Sequence, residues 1–358
     1  VNLISAPAVK VNPSRLERAV AVLEEAIQEG AMPGATVCAF RHGQMFLHEA
    51  IGTLDGTRPV TDDTLYDLAS LTKPMATGAS LLRLVEEGHI TLTASLADFF
   101  GNKANHLRTV TVKHLLTHTS GLPAWTACYE NGTGQENAVT AILQQPTAPP
   151  GTKYEYSCLG FILLRTIIET VAGKPLDMYA HEAVFTPLGM ESVGYCPSDS
   201  EKDRIAPTIP KEGPNAGETL VGAVHDGNAR AIGGVSGNAG LFGTAYEVAL
   251  FGEALRCRSE RTLFGSPTLN RIFENQVDPA IGAHSLLFFA SPNGLCPAGD
   301  LLSTYAVGHS GFTGTLLVID PLYDLTVAAL TNSVFSDGKA SWLVYRRKFL
   351  NALAATLE

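Results

Sequence analysis

The sequence predicts an α+β fold: an antiparallel sheet flanked by helices, with a mainly helical second lobe. Three observations lead there. Strand-like runs cluster towards the two ends of the chain, and helical periodicities fill the middle. A tight turn after Asp320-Pro321 separates two strand-like runs, which favours an antiparallel meander, since parallel strands need long crossovers. The chain has 358 residues, 45% of them hydrophobic, enough for one large domain or two smaller ones with real cores. The expected division pairs residues 1–60 with 244–358 in one discontinuous α/β domain, the terminal strands sharing one sheet. Residues 61–243 form the helical lobe, with loop-rich excursions.

The elements follow in order. Asn12 reads as a helix cap with Pro13 at the first helical position, and Leu16, Ala19, Leu23, Ala26 and Ile27 form an apolar stripe that stops at Gly30. Gly34 to Phe40 and Met45 to Ile51 read as strands, with a hairpin turn across Arg41-His42-Gly43-Gln44. A helix starts at Ser70 and runs through Met75, Leu81, Leu82, Leu84 and Val85 to a stop at Gly88. Short and long helices follow at Val112 to Thr117 and Leu159 to Ala172. Gly121 to Gly151 reads as a loop, and Lys202 to Gly243, dense in Gly, Pro and Asn, as an irregular excursion. Tyr246 to Leu255 is helical. Ser303 to His309, Gly314 to Ile319 and Leu325 to Thr331 are strands, and a last helix spans Lys339 to Ala355.

Composition narrows the function. The net charge is −10 and there is no basic stripe, which argues against a nucleic-acid partner. No apolar run is long enough for a membrane span. Six dispersed cysteines without a CxxC pair suit thiols that mostly behave as small buried apolar residues. With no signal-peptide pattern in the given chain, the expected compartment is the cytoplasm, or the periplasm or exterior if a leader has been removed. His114 and His118 stand four apart, a spacing zinc can use, but no third ligand accompanies them and a structural role is expected. No metal and no cofactor is called for. The oligomeric state is open.

Chemistry concentrates at Ser70 and Lys73. Residues three apart share a helix face, so the amine reaches the hydroxyl and can help take its proton. Chance nearly supplies one such spacing, and a second occurs at Ser336 and Lys339, in a turn-like sequence read as a solvated loop. Three further segments suit acyl transfer. Tyr154-Glu155-Tyr156-Ser157-Cys158 brings phenols to the start of a helix, His309-Ser310-Gly311-Phe312 brings an imidazole to a strand edge, and His225-Asp226-Gly227-Asn228 opens a Gly-rich stretch. Asp226 and Asn228 are expected to satisfy a turn, and Trp125 either faces substrate or anchors its loop. Tyr154 is expected to pack.

With these segments in this order, the chain resembles the serine β-lactamase and penicillin-binding-protein superfamily, above all the branch holding class C β-lactamases, DD-peptidases and esterases. Ser70-Leu71-Thr72-Lys73 is similar to the nucleophile motif, His114 to Leu122 to the segment before the substrate loop, Tyr156-Ser157-Cys158 to Tyr-x-Asn, and His309-Ser310-Gly311 to Lys-Thr-Gly. The resemblance implies a β-lactamase/transpeptidase-like fold and an acyl-enzyme on Ser70. Lys73 and Tyr156 would be the proton-handling pair, the Tyr156 anion being stabilised by Lys73 and by His309 where protonated. The backbone N–H groups of Ser70 and Phe312 would form the oxyanion hole, and His309, Ser310, Gly311, Phe312 and Cys158 would line the substrate site. The implied substrates are small esters, amides or peptides. Cys158 replaces the motif asparagine and His309 the lysine of β-lactamases, so ester or peptide-type hydrolysis is expected ahead of β-lactam hydrolysis. The alternative is a catalytically impaired penicillin-binding sensor or scaffold.

Overall fold

A computed structural model describes residues 3–257, 263–291, 295–336 and 340–358. Strands β1 (Gly34–Arg41) and β2 (Gln44–Gly52) form the expected hairpin, turning through His42 and Gly43, both at positive φ (51° and 81°), as a two-residue primed turn requires. Short β3 (Tyr66–Asp67), β4 (Gly194–Tyr195) and β5 (Leu241–Gly243) make a small sheet in the order β3-β5-β4. Strands β6 (Phe289–Ala290), β7 (Val307–Ser310), β8 (Leu316–Asp320) and β9 (Leu325–Thr331) complete the main sheet. Its order is β2-β1-β9-β8-β7-β6, antiparallel throughout, so N- and C-terminal strands share one sheet through β1 and β9.

The central strands are covered on both faces. Along β1, β8 and β9 alternate side chains divide between two cores, as a period of two requires. Val37, Ala39, Val318 and Val327 pack with helices α1 (Pro13–Gln28) and α7 (Trp342–Ala354). Cys38, Phe40, Leu317 and Ala328 pack with α5 (Ala245–Arg256). The helical lobe has its own core, built from α2 (Ala79–Glu86), α3 (Gln135–Leu143) and α4 (Cys158–Ala172) through Leu81, Leu84, Ile142, Leu159 and Ile162. Helix α6 (Ser266–Phe273) lies between α5 and β6 in the chain.

The expectations needed several corrections. No continuous α-helix starts at Ser70. Ala69–Leu71 is a 3₁₀ turn, Lys73–Gly78 a π-helix, and the α-helix begins at Ala79. Pro74 cannot donate in a helical ladder, and Thr77 Oγ1 donates to Gly237 O (2.7 Å) across the gap. Gly121 to Gly151 is not all loop, because Ala138, Val139 and Ile142 bury one face of α3. The strand expected from Ser303 starts only at Val307: Asp320 captures the N–H (2.7 Å) and hydroxyl (2.8 Å) of Ser303 and holds that segment in a turn. Within 202–243, Gly227–Ala231 is helical and Leu241–Gly243 extended. All six cysteines are free, but only Cys38 and Cys128 are buried. Lys339, of the Ser336 to Lys339 spacing and the expected start of the last helix, lies outside the described residues.

Candidate active site

Ser70 and Lys73 meet where the small sheet, the main sheet and the helical lobe converge. Lys73 is 1% exposed, and its Nζ donates to Ser70 Oγ and to Asn238 O, each at 3.0 Å. The 3₁₀ turn and π-helix keep the pair together without an α-helical start. Burial alone would lower the Lys73 pKa, but Cys158 and Tyr156 outweigh it and push it up to about 12. The amine is therefore an ammonium at neutral pH.

Tyr156 lies beside this pair. Lys73 Nζ is 5.0 Å from its ring centroid. Burial pushes the phenol's pKa up, against the pull of Lys73 and of hydrogen bonding from Lys73 and Ser70. That hydrogen bonding is loose, and Tyr156 Oη is buried without a well-formed partner among the described residues. Tyr156 is held by backbone on both sides: Glu155 N–H donates to His118 O (2.9 Å), and Ser157 N–H donates to His118 Nδ1 (3.0 Å).

Imidazoles surround the phenol. His118 lies 4.5 Å from Tyr156 and 4.9 Å from His284 between ring centroids, and His309 lies 5.9 Å from Tyr156. Phe289 of β6 stacks on His309 at 4.6 Å. The backbone fixes the tautomers. His118 Nδ1 accepts, so its proton is on Nε2. His284 and His309 use Nδ1–H to donate to Ser285 O (2.7 Å) and Ser310 O (3.0 Å), leaving Nε2 unprotonated. Burial first, then neighbouring charge, holds His118 and His309 well below the usual histidine pKa, and burial lowers His284 to about 4. His309 is therefore neutral at neutral pH and supplies no second cation, contrary to the role the resemblance allowed it.

The β7–β8 turn closes over the serine. Gly311 is held by Thr315, its N–H donating to Thr315 O (2.7 Å). A Cβ on Gly311 would lie 2.6 Å from Leu68 O and 3.2 Å from Ala69 Cβ, so only glycine lets this edge approach the Ser70 turn. Among the described residues, no hydrogen bond outside the Ala69–Leu71 turn engages the Ser70 N–H, and none engages the Phe312 N–H. The close approach of Gly311 to Leu68 and Ala69 brings the two segments together, and both N–H groups are available to an oxyanion. Ser310 ends β7, and the Phe312 side chain, 78% exposed, lies 5.6 Å from the His225 ring.

The other sequence candidates fall into place. Asp226 Oδ1 accepts from Ala229 N–H (2.7 Å) and caps a short helix, the turn role expected of it. Asn228 does not serve its own turn: its buried Nδ2 donates to Thr126 O (2.8 Å), tying the short helix to the Trp125 loop. Trp125 is half-exposed beside Tyr129. Tyr154 packs edge-on against His118. Cys158 opens α4, its N–H donating to Ala124 O (2.9 Å). His114 Nδ1 accepts from Thr111 N–H (3.1 Å) in a capping box, and the described residues contain no group of His, Cys, Asp or Glu suited to a metal. No helix among them is long and apolar enough to cross a membrane. Sequence reasoning missed Asn238, whose carbonyl receives Lys73, and His284, which lies in no motif. It named His118 only as a structural residue.

The family model described as Beta-lactamase matches residues 19–348. The chain belongs to the beta-lactamase family. It is 30% identical, over 85% of its length and 79% of the relative's, to an Escherichia coli K12 protein provisionally named a D-alanyl-D-alanine carboxypeptidase. It is 28% identical, over 92% and 83%, to an N-acetylmuramyl-L-alanine amidase of Bacillus subtilis 168. Among solved structures, EstCE1, a hydrolase with promiscuous acyltransferase activity, superposes with a TM-score of 0.76 at 22% identity, covering 94% of this chain and 98% of that one. Fold and homology place this family member among serine-hydrolase-type enzymes.

Proposed function

We propose that the protein hydrolyses small esters or amides through an acyl-enzyme on Ser70, with uncharged acyl donors preferred to β-lactams. The contact between buried Lys73 and Ser70 Oγ at 3.0 Å carries this reading. In acylation, the Lys73–Tyr156 pair, having first lost one proton to solvent, takes the Ser70 proton while Oγ bonds to the carbonyl carbon. The carbonyl π electrons move to oxygen, held by the N–H groups of Ser70 and Phe312. Collapse breaks the bond to the leaving oxygen or nitrogen, which takes a proton from Tyr156. Water repeats the sequence: it gives its proton to the pair, adds to the acyl carbon and expels Ser70 Oγ, which regains its proton.

The preference for uncharged donors rests on His309. A neutral imidazole offers a β-lactam carboxylate no fixed positive charge. The exposed Phe312 and half-exposed Trp125 add apolar surface for an acyl or aryl group. The names of the relatives, a carboxypeptidase, an amidase and a hydrolase with promiscuous acyltransferase activity, support an acyl-transfer site.

A fluorophosphonate probe should label the protein, and Ser70→Ala should lose both label and turnover of a short-chain aryl ester. Unchanged turnover in Ser70→Ala would refute the acyl-enzyme. A chromogenic cephalosporin turned over as fast as the best ester would refute the substrate preference alone.

A further inference from the structure

We propose that Asp67 is a positioning residue that sets both arms of the oxyanion hole, one through Ala69 and the other through His225 and Phe312. The proposal rests on the acyl-enzyme reading of Ser70.

Asp67 ends β3 and is 2% exposed. Its carboxylate faces two backbone donors: Oδ1 accepts from Ala69 N–H at 2.8 Å and Oδ2 from His225 N–H at 2.6 Å. The first bond holds the residue before the nucleophile. Ala69 has a φ of 46°, in the left-handed region that residues with a Cβ enter at a cost, so it needs outside support. Its conformation sets the direction of the Ser70 N–H. The second bond holds His225, whose ring lies 5.6 Å from that of Phe312, the other N–H donor. One side chain thus touches the supports of both donors and touches neither donor itself.

The backbone of the same segment is clamped from the opposite side. Thr313 Oγ1 donates to Asp67 O (2.7 Å) and Thr315 Oγ1 to Leu68 O (3.0 Å). These threonines flank Gly314 in the β7–β8 turn that also carries Phe312. The two arms are therefore fixed relative to each other by a closed ring of hydrogen bonds and one ring contact, with Asp67 as the member that spans them.

Only the ionised carboxylate accepts at both oxygens. Burial raises its pKa to about 6, against the bonds from His225 and Ala69. Among the charged neighbours, Asp226 raises it and Arg230 lowers it, while His225 faces it with backbone N–H and has its own ring pKa lowered by burial. Protonation below about pH 6 removes one acceptor and loosens one arm. His118 and His309 titrate well below the ordinary histidine range and His284 near 4, so Asp67 adds an acid limb near pH 6, read as a steeper fall beneath the gradual rise that the Lys73–Tyr156 pair sets.

The test uses the full chain with an aryl ester substrate. Asp67→Asn keeps the shape but can accept at one oxygen only. Its kcat should fall about ten- to a hundred-fold with KM within about twofold, less than the loss from deleting a donor outright. The fluorophosphonate should still label Ser70, only more slowly, and the acid limb near pH 6 should vanish. Adding Ala69→Gly should recover much of the lost kcat, because glycine holds a positive φ without support. A folded Asp67→Asn with kcat within twofold of the parent, an unchanged acid limb, or no recovery with Ala69→Gly would overturn the proposal. If Asp67→Asn does not fold, Thr313→Val, which removes only the bond onto Asp67 O, decides instead: lower kcat at constant KM supports the proposal and parental kcat overturns it. An active parent that no acylating probe labels would instead bring down the acyl-enzyme reading, and this proposal with it.

Discussion

Two sides of the site are built on opposite principles. Around Asp67-Leu68-Ala69 nearly every polar group is spoken for: both carboxylate oxygens, two backbone carbonyls and two threonine hydroxyls are committed to hydrogen bonds. Around Tyr156 the reverse holds. Tyr156 Oη and the Nε2 atoms of His118, His284 and His309 are buried without well-formed hydrogen-bond partners among the described residues. The first region stores geometry, since a left-handed Ala69 persists only where its surroundings over-determine it. The second keeps valences open at the place where a proton must change hands. Rigidity and reactivity are thus assigned to different walls of one cleft, and substitutions on each should fail differently.

The largest expected effects lie on the open side. Tyr156→Phe removes a hydroxyl with no well-formed partner, so kcat should fall by about 10²–10⁴ while stability holds or rises slightly. Steady-state kinetics beside a thermal melt checks this; a melting temperature several degrees lower would mean that the phenol is structural. Lys73→Met should cost as much in kcat but also lower stability, because two hydrogen bonds from the ammonium go with it.

On the bonded side, effects on stability should come first. Gly311→Ala places a methyl 2.2 Å from Thr315 Oγ1 and 2.6 Å from Leu68 O. Relief requires moving the strand edge, at a cost of about 1–3 kcal/mol in denaturant unfolding. The kcat should fall as the Phe312 N–H moves with that edge. Parental stability in Gly311→Ala would show that the β7–β8 turn yields freely and that this wall is not the rigid one.

The two sides also differed in how far the sequence revealed them. Ser70, Lys73, Tyr156 and the His309 edge were legible because each sits in a short motif whose order along the chain carries information. The sheet was legible from apolar runs covered on both faces, as in β8 and β9. The supports were not. Asp67 bonds to His225, 158 residues away, and Lys73 bonds to Asn238, 165 residues away. No local periodicity encodes either contact. The π-helix was hidden because Pro74 is compatible with an ordinary first helical turn, and α3 because the glycines and prolines on its flanks read as loop. His284 had no motif around it at all.

The smallest expected effect tests the charge on the open side. The Lys73–Tyr156 pair must give up a proton to act as base, and both pKa values lie above their ordinary ranges. Activity should therefore climb with pH from neutrality through about pH 9, with no contribution from His309, which is already neutral there. His309→Lys puts a cation where that imidazole now sits, 5.9 Å from the phenol between ring centroids. A positive charge stabilises the phenolate, lowers the Tyr156 pKa and moves the alkaline rise towards acid by about one pH unit. The same cation would attract a carboxylate, so the rate of cephalosporin acylation should gain on that of ester hydrolysis. Burial beside Lys73 opposes the new charge, and if it wins, the lysine is neutral and neither the profile nor the substrate ratio moves. An unmoved profile together with an improved cephalosporin rate would separate the two roles of position 309, placing its charge with substrate binding and leaving proton transfer to Lys73 and Tyr156 alone.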